Sequence, residues 1–442
     1  MRANSGRHGD RDVKKCKSLA VLLAALLLFS CFASAATIDI DAACALLADA
    51  KTGQILYAKN ERERAYPASI TKLMTALLVA EKGGLSETIT VSASALENLS
   101  AAGSTVGLKT GEQLTVDQLL VCLLVASANE AANILGEHVA GSVDAFVEQM
   151  NRRAEELGCV NTHFANAHGL HDENHYTCAY DVYLIAREVE KHARLVEIVA
   201  MQKATIPATN LSPERLFFNT NSMLSPYKER TYLYKYTTGI KTGHTSQAGL
   251  CLAASAEKGD TSLLSVVLGA KTGENNQKGH FVETRKLFEW GFANFKTATV
   301  LDSTSPVGEV AVRLAWDRDH VIAAPKQDFS CMVPADYSAE RLEVRAELPQ
   351  SLDAPIEKGA ALGTATLVYD GQTLGTVELV AADAVERSQL LFLWDSAVRF
   401  FSSWIAKIIL IALAIFVIFY IIFTIRYNKR RRNARRYRGR RR

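Results

Sequence analysis

The chain has 442 residues, 48% of them hydrophobic and 22% charged, with a formal net charge of +3. A length near three times ~150 residues sets a soft prior of about three domains. Twenty-six Gly and nine Pro exclude a collagen-like or low-complexity chain. The charge is unevenly placed: residues 426–442 hold eleven Lys/Arg and no acid, and residues 1–35 carry a balance of +4. Taken from +3, those two ends leave a body of −12 over 36–425.

The first element in chain order is 1–35. Lys14, Lys15 and Lys17 precede an apolar run, and Ala33-Ser34-Ala35 follows as a small-residue cleavage pattern. This is the layout of a secretory signal peptide. Cys31 stands where lipoprotein processing would act, but Phe29 is bulky for that pattern. With the signal removed, six widely spaced cysteines remain, without a C-x-x-C pair. An even count outside the membrane permits disulfides, and the apolar runs around several of the six fit buried thiols equally.

The body begins with a β-hairpin, 41–49 and 53–58, around Lys51-Thr52-Gly53. After Pro67, Ile70, Leu73, Met74, Leu77 and Leu78 recur at helical spacing. Thr115-x-x-Gln118 is a capping box that opens a helix through Ala126, and 130–139 and 143–157 continue as helices. Strand-like runs follow at 236–240, 249–255 and 263–268, and an amphipathic helix at 277–292 closes the unit. Strands at both ends with helices between predict one α+β catalytic domain over 36–295. Composition then turns to β-branched runs at 310–314, 342–346, 363–368 and 375–380, with the hairpin signal Asp370-Gly371. A small all-β domain is expected over 298–385, then an amphipathic stalk at 388–403.

Residues 404–425 carry one charge, Lys407, near their start. At ~1.5 Å per residue they reach about 33 Å, enough for a ~30 Å hydrocarbon core. The cations directly after them place 426–442 in the cytoplasm and the acidic body outside, so a single-pass membrane protein is expected. A basic run also suits nucleic acid. Abutting a span, it reads as a topology determinant in contact with anionic lipid, and no nucleic-acid partner is expected.

Three short motifs carry the chemistry. Ser69-Ile70-Thr71-Lys72 puts a hydroxyl and an amine on one face of a helix start. Nearby N–H groups suit developing negative charge, and burial beside a cation brings a lysine pKa down from about 10.4. Ser225-x-x-Lys228 and Ser255-x-x-Lys258 show that this motif alone is weak. Ser127-Ala128-Asn129, the only S-x-N, falls between two helices; a helix-capping serine is the plainer reading. Lys-Thr-Gly occurs at Lys51, Lys109, Lys241 and Lys271. Lys241-Thr242-Gly243 ends a strand that can present Lys241 to an anion, its small Gly admitting substrate backbone; Lys271 leads into a surface turn.

The ordered set resembles the motifs of active-site serine penicillin-recognising enzymes. The stretches 66–75 and 239–245 resemble low-molecular-mass penicillin-binding proteins of the D-alanyl-D-alanine carboxypeptidase type. So do His168-Gly169-Leu170 with His175-Tyr176 and Asp181, and the segment 354–359 of the β domain. The resemblance implies a β-lactamase/transpeptidase-like fold and a serine carboxypeptidase acting on peptidoglycan stem peptides, with β-lactams as inhibitors and no cofactor. It implies Ser69 as nucleophile, Lys72 as base and Ser127 as proton relay. Asn129 would position substrate or Lys72. Lys241 and Thr242 would hold the terminal carboxylate in a strand completed by Gly243, and the N–H groups of Ser69 and His244 would form the oxyanion hole.

The rival readings are a β-lactamase, which would need an E-x-x-L-N segment absent between Ser127 and Lys241, and a non-catalytic wall-binding protein, against which the intact motifs argue. Transpeptidation shares the acyl-enzyme and differs only in the acceptor. His163, His168, His171 and His175 with Asp172 and Glu173 form a cluster. Asp172, however, stands where H-E-x-x-H needs Glu, so no metal is expected.

Overall fold

The computed structural model describes residues 38–438 apart from 98 and 100–102, with side chains through residue 430. The signal peptide expected at 1–35, Cys31 included, lies outside the described residues, as do 439–442 of the basic tail.

The chain forms two compact units, the first discontinuous: residues up to Thr299 together with Ser330–Arg341. Its strands β1 (Cys44–Asp49) and β2 (Ile55–Lys59) pair antiparallel as the expected hairpin. A 3-10 turn at Ala68–Thr71 leads into α1 (Lys72–Lys82). The short pair β3 (Thr88–Thr90) and β4 (Gln113–Thr115) precedes α2 (Val116–Leu124). Both bonds of the Thr115/Gln118 capping box are made. Then come α3 (Asn129–Ala140), α4 (Val143–Glu156), α5 (Ala179–Val189) and α6 (Ala193–Val199). A second small pair, β5 (Lys203–Ile206) and β6 (Arg215–Phe218), follows. The strands β7 (Thr237–Thr245), β8 (Gly249–Lys258) and β9 (Thr261–Ala270) and helix α7 (Gly279–Asn294) return the chain to the sheet.

The sheet order is β2-β1-β9-β8-β7, so segments ~200 residues apart lie side by side and β7 forms an edge. Strands β1, β8 and β9 read as near-continuous apolar runs because both faces are covered. One face packs on the helical layer through Leu46, Leu73, Leu77, Leu120, Ile134 and Val266. The other packs on α7 through Leu47, Leu252, Val267, Leu287 and Phe288. Helix α1 runs through the middle of the helical layer and touches α2 to α6. All six cysteines of the described residues are buried free thiols, the thiol alternative to disulfides. Ladder β10 (Phe295–Leu301) with a strand at Phe329–Pro334 completes this part of the chain.

The second unit, 300–329 with 342 onward, is all-β with two helices after it. Its strands in chain order are β11 (Gly308–Arg313), β12 (His320–Pro325), β14 (Leu342–Glu347), β15 (Ser351–Asp353), β16 (Ala361–Tyr369) and β17 (Gln372–Ala381), with β13 the Phe329–Pro334 strand above. They form a six-stranded sheet in the order β14-β16-β17-β12-β11-β15. Asp370 and Gly371 turn β16 into β17, both at positive φ, as the hairpin signal predicts. Helix α8 (Gln389–Ser402) is capped by Ser388, and Ser403 caps α9 (Trp404–Arg438) through the Ala406 N–H. Trp404–Arg430 is long and apolar enough to cross a membrane, its most apolar 18-residue window having a mean hydropathy of 3.2. The helix runs on without a break into the basic segment. An α+β catalytic unit, an all-β domain and one span-length helix are the architecture the sequence predicts.

Candidate active site

The site forms where the turn before α1, the α2–α3 loop and the edge strand β7 meet. Ser69 sits in the 3-10 turn and Lys72 opens α1. A 3-10 turn eclipses residues i and i+3, which brings Lys72 Nζ to 2.9 Å from Ser69 Oγ. Ala68, just before the nucleophile candidate, carries φ +48°, a left-handed backbone rare for a residue with a Cβ. Lys72 is fully buried, and its Nζ also lies 2.8 Å from Asn129 Oδ1 and 2.7 Å from the His168 carbonyl oxygen. Burial first, and the charge of Lys241 second, hold the Lys72 ammonium well below the ordinary lysine range, against an opposing pull from Glu130.

Val125 to Ala128 link α2 to α3, and Ser127 takes φ +64° within that link. The Asn129 N–H donates to the Ser104 carbonyl at 2.9 Å, so the opposite wall of the cleft is tied to the same loop. Glu130 extends this tie. Its Oε1 accepts from Thr105 Oγ1, Val106 N–H and Gly107 N–H at 2.6, 2.7 and 3.1 Å.

Strand β7 supplies the third wall. Lys241 is buried, with Nζ donating to the Thr242 carbonyl at 3.0 Å, and burial followed by the charge of Lys228 lowers its pKa to about 7. Thr242 Oγ1 donates to Thr220 Oγ1 at 2.6 Å. The missing side chain at Gly243 makes room for the turn that carries Ser69. A Cβ there would lie 2.8 Å from the Pro67 carbonyl oxygen and 3.2 Å from the Ile70 nitrogen. Ser69, Ser127, Asn129, Thr242, Gly243 and His244 line one cavity of about 830 Å³. Lys72 and Lys241 are buried amines, Lys72 reaching Ser69 and Asn129 and Lys241 lying in the strand that carries Thr242 and Gly243, so the structure brings together all eight residues singled out in the sequence. Thr220, Lys228 and Lys278 line the same cavity and were missed. So was Glu130, whose only sequence signal is its place beside Asn129.

The histidine loop packs against this centre. His175 Nδ1 accepts the Ala165 N–H at 3.0 Å, so its protonated Nε2 donates to Thr71 Oγ1 at 2.7 Å, and Thr71 passes its hydrogen to the Ala68 carbonyl at 2.8 Å. Burial pushes the His175 pKa down to about 4 and that of His168 to about 3. Gly169 stands at φ +88°, where a Cβ would lie 1.9 Å from the Ala68 carbonyl oxygen. His175 thus helps to hold the Ser69 turn through Thr71, whereas His168 offers its backbone carbonyl to Lys72 and its ring Nδ1 to the Leu170 N–H. Lys271 is exposed, on the surface turn expected of it.

Two family models match the chain. "D-alanyl-D-alanine carboxypeptidase" covers residues 31–272, and "Penicillin-binding protein 5, C-terminal domain" covers residues 295–387. The chain is 31% identical over 353 residues to the D-alanyl-D-alanine carboxypeptidase DacF of Bacillus subtilis, covering 79% of this chain and 87% of DacF. It is 33% identical over 359 residues to the D-alanyl-D-alanine carboxypeptidase DacA of Haemophilus influenzae, with coverage of 79% and 87%. Among solved structures, penicillin binding protein 5 from Haemophilus influenzae superposes with a TM-score of 0.67 at 32% identity, covering 80% of this chain and 99% of that one. The Streptomyces K15 DD-transpeptidase, as a mutant, superposes with a TM-score of 0.53 at 27% identity, over 58% of this chain and 100% of that one. With its catalytic region and its β domain both matched, the chain belongs to the D-alanyl-D-alanine carboxypeptidase family of penicillin-binding proteins.

Proposed function

We propose that the protein is a serine-type D-alanyl-D-alanine carboxypeptidase that removes the terminal D-alanine of peptidoglycan stem peptides through an acyl-enzyme on Ser69. The observation that carries the residue roles is the triple contact of Lys72 Nζ. Asn129 Oδ1 and the His168 carbonyl only accept hydrogens, so a neutral amine gives its two N–H groups to them. Its lone pair then faces Ser69 Oγ at 2.9 Å, the geometry of a general base.

In the first step Ser69 Oγ bonds to the carbonyl carbon between the last two residues, and its proton passes to Lys72. The N–H groups of Ser69 and His244 hold the oxyanion. The C–N bond then breaks, and Ser127 relays a proton to the departing amine. Water adds to the ester and frees Ser69 with the shortened peptide. Lys241 and Thr242, at the far end of the same cavity wall, hold the substrate's carboxylate. That contact suits an enzyme cutting the last residue of a chain. β-Lactams present a strained amide to the same serine and act as inhibitors. Residues 1–35 direct export, α9 spans the membrane, and the basic tail remains in the cytoplasm in contact with anionic lipid.

The test uses the detergent-solubilised protein with a peptide ending Lys-D-Ala-D-Ala and follows free D-alanine. Release that is abolished in Ser69→Ala and blocked by penicillin supports the reading. Release that survives Ser69→Ala removes Ser69 as nucleophile, and fast penicillin turnover without peptide cleavage makes the protein a β-lactamase.

A further inference from the structure

Glu130 follows Asn129 at the start of α3 and is buried. Its two carboxylate oxygens are used unequally. Oε1 accepts all three of its hydrogen bonds, from Thr105 Oγ1 and the N–H groups of Val106 and Gly107. Oε2 is buried and has no hydrogen-bond partner among the described residues. The three bonds explain how the 105–107 segment is tied to α3. They do not explain an acid, because a glutamine oxygen would accept the same three hydrogens without burying a charge.

The charge finds its counterpart at the catalytic centre. Lys72 Nζ lies 2.8 Å from Oδ1 of Asn129, the residue beside Glu130 in α3. Burial and then the charge of Lys241 on β7 disfavour the Lys72 ammonium, and Glu130 is the carboxylate that favours it. From the histidine loop, His168 and His175 also sense Lys72, but burial pushes their pKa values down to about 3 and about 4, so both are neutral above that range. Toward α2, Cys122 senses Arg215 and Glu112 besides Glu130, and those two pair with each other at 2.7 Å.

When the Ser69 proton moves to Lys72, a buried cation forms where a neutral amine stood. A buried cation needs a nearby anion far more than the amine does. We propose that Glu130 is a positioning residue for acylation, stabilising the lysinium that forms as Lys72 takes the Ser69 proton. Ser69, Lys72 and Glu130 then act in series as nucleophile, base and charge partner. No bond forms or breaks at Glu130, and it acts only through Lys72. The inference rests on the reading of Lys72 as the base that activates Ser69.

The experiment records kcat/KM against pH for D-alanine release from diacetyl-Lys-D-Ala-D-Ala by the detergent-solubilised full chain. Without the Glu130 charge, Lys72 is a weaker base. In Glu130→Gln the acid limb is therefore expected to move to lower pH by about one unit, while the plateau falls by about tenfold or more. A merely loosened wall lowers the plateau and leaves the limb in place. Thr105→Val weakens the same tie with the charge retained, and its acid limb is expected to stay at the wild-type position. Glu130→Asp keeps the charge and is expected to keep that limb as well, at a lower plateau. An acid limb that is unmoved or raised in Glu130→Gln, or lowered in Glu130→Asp or Thr105→Val, overturns the inference. Ser69-dependent release with an unmoved limb removes only the role of Glu130, whereas release that survives Ser69→Ala removes the Ser69 reading and this inference with it.

Discussion

A lysine among three oxygens is a base only if one of them carries the proton it takes, and at Lys72 only Ser69 does. Two titrations follow from the proposed roles. Lys72 must be neutral, so kcat/KM rises with pH through its lowered pKa. Lys241 must be charged to hold a carboxylate, so kcat/KM falls as pH passes about 7. A bell is expected, and Lys241→Arg is expected to shift its alkaline limb upward by more than about one pH unit, since guanidinium stays charged. An unmoved limb would assign that titration elsewhere. Lys72→Ala is expected to lower acylation by about 10²–10⁴-fold. His175 carries a stability prediction at the same scale. Its folded pKa near 4 lies below the unfolded value of about 6.5, so the unfolded chain binds more protons between those values. Stability is therefore present above pH 6.5 and lost on acidification, at up to about 1.4 kcal/mol per pH unit for this group. Urea unfolding across pH 4–7 is expected to show a shallower slope in His175→Gln, and an unchanged slope would exclude the residue as a source.

At the scale of elements, the site depends on close backbone approach as much as on side chains. The loop holding the His168 carbonyl against Lys72 reaches it because Gly169 has no Cβ to strike the Ala68 carbonyl. Gly169→Ala adds a contact at 1.9 Å and a strained φ of +88°. It is expected to cut kcat/KM by tenfold or more and to lower Tm by several degrees, on the scale of a ~1–3 kcal/mol destabilisation. A variant with wild-type rate and Tm would show that the loop can move without moving Lys72. The elements themselves were largely legible in sequence: the apolar spacing after Pro67, the Thr115/Gln118 box and the Asp370-Gly371 turn all rest on contacts within a few residues. The short pairs β3–β4 and β5–β6 and the 3-10 geometry of Ala68–Thr71 were not. Strands of three or four residues carry too little periodicity to read, and the helical spacing after Pro67 extends no further back than Ile70.

For the whole molecule, the second unit ends in α8 and α9, and every large apolar side chain from Trp404 to Ile425 described as exposed lies on a helix of span length. A chain ending at residue 387 is expected to stay in solution without detergent and to cleave a soluble peptide within about twofold of the full protein, while the full protein floats with vesicles. Membrane association that survives the deletion would place the anchor elsewhere. Charge segregation, the long apolar run and the three ordered motifs were readable along the chain, because each depends on composition or on residues close in sequence. That Glu130, Thr220, Lys228 and the His168 carbonyl join the site followed only from the fold. Those groups meet across separations of about 60 to 170 residues along the chain. The antiparallel order β2-β1-β9-β8-β7 and the helical layer on one face bring them together, and no local pattern records a contact that packing alone creates.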